Sequence, residues 1–264
     1  MPELPEVETI KKYLDHYIRN RKILAIKIFN KKSFRGDKNK IINKKIIEVE
    51  RKGKILIIKL NNSYDLMIHL KMSGQLIYTQ DCNEITRHTR VIFKLNRGCL
   101  IFNDLRKFGW IKIIEKNNLN QEINNLGKDA LEITFNEFKK ICLNSQQKIK
   151  LLLMNQNKIS GIGNIYANEI LFLSKINPFQ KANQLNHHQL KKLFQAIKTI
   201  IKKAIRHEGT SSRLYLKPDK SKGNYQNYFL VYNKENELCP ICRTKIKRVK
   251  INNRSTFYCV RCQI

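Results

Sequence analysis

Residues 54–78, KILIIKLNNSYDLMIHLKMSGQLIY, hold three short runs rich in Ile, Leu and Tyr, punctuated by Asn-Asn and Ser-Gly pairs. Short apolar runs bounded by turn formers read as consecutive strands. The same signature continues on both sides. ILAIKIF and KIIEVE precede the stretch, and RVIFKL, CLIF and GWIKII follow it. Many short strands with turn signals over 23–113 predict a β-sandwich or barrel.

Upstream of the strands, Val7, Ile10, Tyr13, Leu14 and Tyr17 recur at helical spacing, with Pro2 and Pro5 at the beginning, where proline is tolerated. A helix from Glu3 to about Arg19 is expected. Downstream, the polar, Asn-rich EKNNLNQEINNLGKDALE (115–132) reads as a linker. Residues 134–206 then carry four helical patterns, TFNEFKKICL, IKLLLMNQ, IYANEILFLSKI and HHQLKKLFQAIKTIIKKAI, with Asn177-Pro178 breaking the third from the fourth. GTSSRLYLKPDKSKGN (209–224) reads as a mobile loop, and the remainder as a small cysteine-bearing module. The expected class is therefore α+β, with domains at 1–114, 133–224 and 225–264 around the 115–132 linker.

Composition narrows the partners. Lys and Arg total 52 against 21 acids, a formal net charge of +31 over 264 residues. Such an excess attracts polyanions, nucleic acid first. An A/T-rich codon supply would also inflate lysine, but dispersed along the chain. Residues 239–262 instead concentrate Arg243, Lys245, Lys247, Arg248, Lys250, Arg254 and Arg261 with no acid. No run of 18 apolar residues is present, and the acidic start MPELPEVETI is unlike a secretory signal, so a cytoplasmic protein is expected.

Four of the seven cysteines are paired by spacing, Cys239-x2-Cys242-x16-Cys259-x2-Cys262. Two such knuckles can surround one tetrahedral Zn²⁺ with four thiolates, and metal binding would fold a module too small for a core of its own. A closed site of this kind is structural. Cys82, Cys99 and Cys142 stand singly and read as reduced thiols.

Two further stretches bear on chemistry. SGIGNIYANE (160–169) opens a helix after a glycine turn, with Asn164 near an N-terminus whose free N–H groups can bind phosphate. At the start, removal of Met1 would leave Pro2 with a free secondary amine. Its ordinary pKa of roughly 7.7–8.0 keeps a useful neutral fraction able to attack a sugar C1′, with Glu3 beside it to move protons. Taken alone, Pro-Glu at a helix start is equally ordinary capping.

The combination changes that balance. MPELPEVET, HLKMSG (69–74), DLRKFG (104–109), GIGNIYANE (161–169) and the terminal CPIC…RSTFYCVRCQ resemble formamidopyrimidine-DNA glycosylase (8-oxoguanine DNA glycosylase), in that family's order and across essentially the whole chain. Endonuclease VIII also begins with Pro-Glu but usually continues Gly-Pro, so Leu4 favours the purine enzyme. The resemblance implies an N-terminal helix and β-sandwich domain, a helix–two-turn–helix domain and a zinc β-hairpin finger, with damaged double-stranded DNA as partner of a monomer associated with the nucleoid. It implies Pro2 as nucleophile, Glu3 as acid/base partner, Glu6 in support and Lys54 near the lesion. Met72, Arg106 and Phe108 match the residues that fill the gap of an everted base. His69, Asn164, Tyr232, Arg248 and Arg254 match phosphate contacts, and Arg213 and Tyr215 the approach to a lesion-capping loop.

Arg90 stands where a histidine is common, Asn233 and Asn236 where glycines are common, and residues 216–226 match no motif. Two rivals stay open: an endonuclease VIII-like glycosylase for oxidised pyrimidines, and a non-catalytic DNA-binding protein.

Overall fold

The computed structural model describes residues 2–211 and 215–264, so the expected role of Arg213 lies outside the described residues. The chain divides into two compact units, one built from residues up to 125 together with 207–226, the other from 126–206 with 227–264.

In the first unit, helix α1 (Leu4–Ile18) starts with Glu3 as N-cap, Pro5 in the first turn and a reciprocal capping box between Glu3 and Glu6. Its stripe Val7, Ile10, Leu14 and Ile18 is fully buried. Each such side chain contributes about 1.5–3 kcal/mol of burial free energy. The stripe joins one core with the inner faces of two sheets.

The first sheet has five strands, β2 (Phe34–Arg35), β3 (Ile46–Lys52), β4 (Ile55–Leu60), β5 (Tyr64–His69) and β9 (Trp110–Glu115), in the order β2-β9-β5-β4-β3. The second has four, β1 (Ile23–Ile28), β6 (Gly74–Thr79), β7 (Thr89–Leu95) and β8 (Cys99–Asp104), in the order β1-β7-β8-β6. Side-chain alternation is visible along β8. Leu100 and Phe102 enter the main core, while Cys99 and Ile101 join Ile77 and Ile92 in a smaller cluster, against which Leu216 packs. The sheets thus form the sandwich that the strand pattern predicts.

The second unit contains the helical patterns as α3 (Phe135–Leu143), α4 (Ile149–Met154), α5 (Asn164–Leu173) and α6 (His187–Arg206). Lys198 on α6 donates to the carbonyls of Ala130, Leu131 and Ile133 at 2.7–3.0 Å, tying down the chain ahead of α3. The C-terminal hairpin is β12 (Lys247–Ile251) against β13 (Arg254–Tyr258). Among the described residues, no helix is long and apolar enough to cross a membrane.

Three features differ from the sequence reading. The 115–132 stretch is not a bare linker: it holds α2 (Lys116–Ile123) and β10 (Lys128–Asp129), which pairs in parallel with β11 (Ile159–Ser160). Residues 207–226 belong to the first unit, not to the helical one, because their partners are there. Glu208 and Lys217 bond each other and Tyr13 of α1, and the Tyr78 N–H donates to the Pro218 carbonyl at 2.9 Å. Cys82 and Cys99 are not free thiols but a disulfide. The β6–β8 register sets Thr79 opposite Cys99, so the chain just past β6 returns beside it. Cys142 is free, and burial pushes its thiol up to about 12.

Candidate active site

Glu6 organises the N-terminal end of α1. One carboxylate oxygen accepts the Glu3 backbone N–H at 2.7 Å and the other accepts the Thr210 backbone N–H at 2.7 Å. Pro2 is buried and Glu3 is only 2% exposed. The capping chemistry and the candidate catalytic pair therefore occupy the same atoms: Glu6 fixes the backbone that follows the proline. Gly209 approaches this carboxylate closely. Its φ is +77°, and a Cβ there would lie 2.7 Å from Glu6 Oε1. No L-residue with a side chain fits without displacement.

Tyr215 is buried. It is 7% exposed in the sandwich core, and its hydroxyl donates to the Glu6 carbonyl at 3.4 Å. Burial, and then the Glu6 charge, raise its phenol well above the ordinary value. In this structure it supports α1.

Lys54 sits in the β3–β4 turn beside Gly53, not within a strand, and is 6% exposed. Register places Ile55 opposite His69, and the Lys54 charge is felt at that imidazole. His69 Nδ1 accepts the Lys71 backbone N–H at 3.0 Å, which leaves Nε2 as the donor nitrogen. Burial, with Lys71 and Lys54 nearby, lowers its pKa to about 3. A neutral imidazole keeps one N–H donor, on Nε2.

Met72, Arg106 and Phe108 lie in contact with one another. Arg106 Nη1 reaches Met72 Sδ at 3.0 Å, and its guanidinium lies 4.8 Å from the centroid of the Phe108 ring, which is 54% exposed. An exposed aromatic capped by a cation is a poor core element and a good wedge.

In the second unit, Asn164 is the first residue of α5, and its amide donates to the Ser255 carbonyl at 3.1 Å. Tyr232 stacks edge-on with Phe229 and Phe257. Arg248 pairs with Glu235 at 3.1 Å, and Arg254 is exposed at the start of β13. Asn233 and Asn236, which replace expected glycines, hold φ of 62° and 65°, a backbone that asparagine tolerates better than most residues. Sequence reasoning passed over Glu169, the last residue of GIGNIYANE. It is fully buried and accepts the N–H groups of Leu230, Val231 and Tyr232 at 2.7–3.0 Å. Burial raises its carboxyl and the three donors oppose that. A lone charged residue in the helix NIYANEILFL was the available signal.

The sulfurs of Cys239, Cys242, Cys259 and Cys262 all lie within 4.8 Å of one another. Zn–S bonds of about 2.3 Å set tetrahedral S···S edges of about 3.8 Å. Cys239–Cys262 measures 3.8 Å and Cys242–Cys259 3.3 Å. The four cysteines form a structural zinc site with no position left for water.

Comparison with known proteins agrees with this geometry. Residues 1–111 match the formamidopyrimidine-DNA glycosylase N-terminal domain, 126–215 the formamidopyrimidine-DNA glycosylase H2TH domain, and 236–264 the zinc finger found in FPG and IleRS. A formamidopyrimidine-DNA glycosylase of Pelotomaculum thermopropionicum is 39% identical over 273 residues, covering 100% of this chain and 99% of that one. A Lactococcus lactis FPG mutant in complex with Fapy-dG-containing DNA superposes with a TM-score of 0.94 at 32% identity, over 99% of both chains. The L. lactis Fpg complex with abasic-site DNA gives 0.94 at 31%, again over 99% of both. Fold, finger and N-terminal motif together define a base-excision DNA glycosylase. The chain belongs to the formamidopyrimidine-DNA glycosylase family.

Proposed function

We propose that this protein excises oxidised purines, 8-oxoguanine and formamidopyrimidines, from duplex DNA and then cleaves the abasic site through its N-terminal proline. The observation that carries the reading is the Glu6 carboxylate, which holds the Glu3 and Thr210 backbones and so fixes the proline-bearing start of α1. Once Met1 is removed, the Pro2 nitrogen attacks C1′ and the damaged base leaves. The sugar opens to an iminium, and β- then δ-elimination expels the two phosphates. Glu3, 2% exposed beside Pro2, moves the protons. Lys54 lies by the lesion. Met72, Arg106 and Phe108 occupy the space of the everted base.

His69, Asn164, Tyr232, Arg248 and Arg254 contact phosphates, and the protein works as a monomer. The L. lactis relative is solved with Fapy-dG, abasic-site and oxidised-pyrimidine DNA, so the choice of purines rests on Leu4 in the N-terminal motif. Borohydride reduction during turnover on 8-oxoguanine DNA tests it, with the mature N-terminus verified by mass spectrometry. The expected product is a DNA adduct on the N-terminal peptide at Pro2. An adduct on a lysine, with none on Pro2, sinks the mechanism, and excision of oxidised pyrimidines in preference to purines sinks the substrate assignment.

A further inference from the structure

Met72 and the Arg106/Phe108 pair lie on two separate turns, 70–73 and 105–109, and a fully buried carboxylate joins them. Asp104, at the end of β8, accepts the Ser73 hydroxyl and the Arg106 N–H (3.2 Å) through Oδ1, and the Gly109 N–H (2.7 Å) through Oδ2. The Ser73 hydroxyl oxygen accepts the Arg106 N–H as well, at 2.9 Å. Asp104's own backbone is held on both sides: its carbonyl accepts Arg90 Nε at 2.9 Å and its N–H donates to the His88 carbonyl at 2.9 Å. Lys71 and Lys107, each next to a wedge residue, have left-handed φ of 50° and 58°. Such backbone persists for non-glycine residues only where the surroundings over-determine it.

We propose that Asp104 and Ser73 are positioning residues that lock the two turns into one rigid wedge and so set the preference for the base opposite the lesion. The proposal rests on the gap-filling reading of Met72, Arg106 and Phe108. Arg106 can tell cytosine from adenine only if its fork of donors arrives at a fixed place. Its exposed side chain rests on Met72 Sδ and the Phe108 ring, themselves carried by the two turns, so its place depends on how those turns are held, and its backbone N–H is the one shared by Asp104 and Ser73. Tight placement of a reading group is what a supporting hydrogen-bond shell provides.

The test is single-turnover excision of 8-oxoguanine opposite cytosine and opposite adenine by Ser73→Ala, Asp104→Asn and Arg106→Ala, with cleavage of a pre-formed abasic site alongside. Ser73→Ala removes two hydrogen bonds, one donated to the Asp104 carboxylate and one accepted from the Arg106 N–H, but leaves Asp104 holding that N–H, and the cytosine-over-adenine ratio should fall about 3- to 10-fold. Asp104→Asn puts an amide donor where an acceptor is needed, and the ratio should fall about 10- to 100-fold. Abasic-site cleavage should suffer less in both. In an Arg106→Ala background, Asp104→Asn should lower the ratio no further. If Arg106→Ala itself leaves the ratio unchanged, the gap-filling reading fails. If Arg106→Ala lowers it while Ser73→Ala and Asp104→Asn do not, the positioning proposal alone is overturned. Equal losses opposite both bases and at abasic sites would make Asp104 a fold residue only, which also overturns it. Should Asp104→Asn not fold, Ser73→Ala, the removal of a single hydroxyl oxygen, decides.

Discussion

The Glu6 carboxylate and the Thr210 backbone N–H, 204 residues apart in sequence, meet at 2.7 Å. The second Glu6 oxygen serves Glu3 in the same way. A carboxamide offers one acceptor oxygen where the carboxylate offers two. Glu6→Gln should therefore release one of the two backbones and reduce both base excision and abasic-site cleavage by about 10- to 100-fold, the range for losing a charge-assisted hydrogen bond. Single-turnover assays of the two steps check this. A loss confined to one step would detach Glu6 from the start of α1.

Gly209→Ala strains a left-handed φ of +77° and pushes a methyl against Glu6. Destabilisation of about 1–3 kcal/mol is expected, read as a lower denaturation midpoint with unchanged denaturant slope. A variant as stable as the parent would show that the chain yields here easily.

His69 should stay neutral throughout the physiological range, since its pKa is held at about 3 by burial and by Lys71 and Lys54. The unfolded imidazole titrates near 6.5. Between pH 6.5 and 3 the unfolded chain therefore binds the extra proton. The stabilisation is complete above pH 6.5 and is lost as pH falls toward 3. Imidazole NMR shifts of His69 should not move from pH 8 to pH 5, and His69→Asn should flatten the acid limb of the stability profile. A His69 midpoint near 6.5 would contradict the burial.

Chelation tests the finger apart from the sandwich. Elemental analysis should find one zinc per chain. Its removal should weaken DNA binding and the salt dependence that the finger's basic residues add. The single tryptophan, Trp110, lies on β9 of the other unit, so its emission should hardly change. Loss of the Trp110 signal together with the metal would mean that the finger supports more than itself.

The cysteine inventory gives a count. Unfolded in chelator without reductant, the chain should titrate five thiols, Cys142 and the four zinc ligands, and seven after reduction. Seven without reductant would remove the Cys82–Cys99 bond.

Most elements were legible because their signals are local. The stripe of α1 and the turn pairs between strands act over a few residues. What was not legible depends on distant pairing. That β1 pairs with β7 and β2 with β9 cannot be read from either strand alone. Cys82 and Cys99 carry no spacing signal, and only the β6–β8 register joins them. Lys54 was identifiable as a residue but not as part of a turn, because KGKILII runs straight into β4. Tyr215 was named through its motif match alone, and its bond to a backbone carbonyl of α1 depends on a residue 209 positions away.

The return of residues 207–226 to the first unit sets an order of events during synthesis. Translation proceeds at roughly 5–20 residues per second, so Thr210 leaves the peptidyl-transferase centre roughly 10–40 s after Glu6. Throughout that interval the nascent chain displays its N-terminal residues without the strap that Glu6 holds. The N-terminal end of α1 is thus made first and fixed last. Prematurely terminated chains, ending anywhere before the strap, carry Pro2 and Glu3 but not the Thr210 N–H that Glu6 accepts.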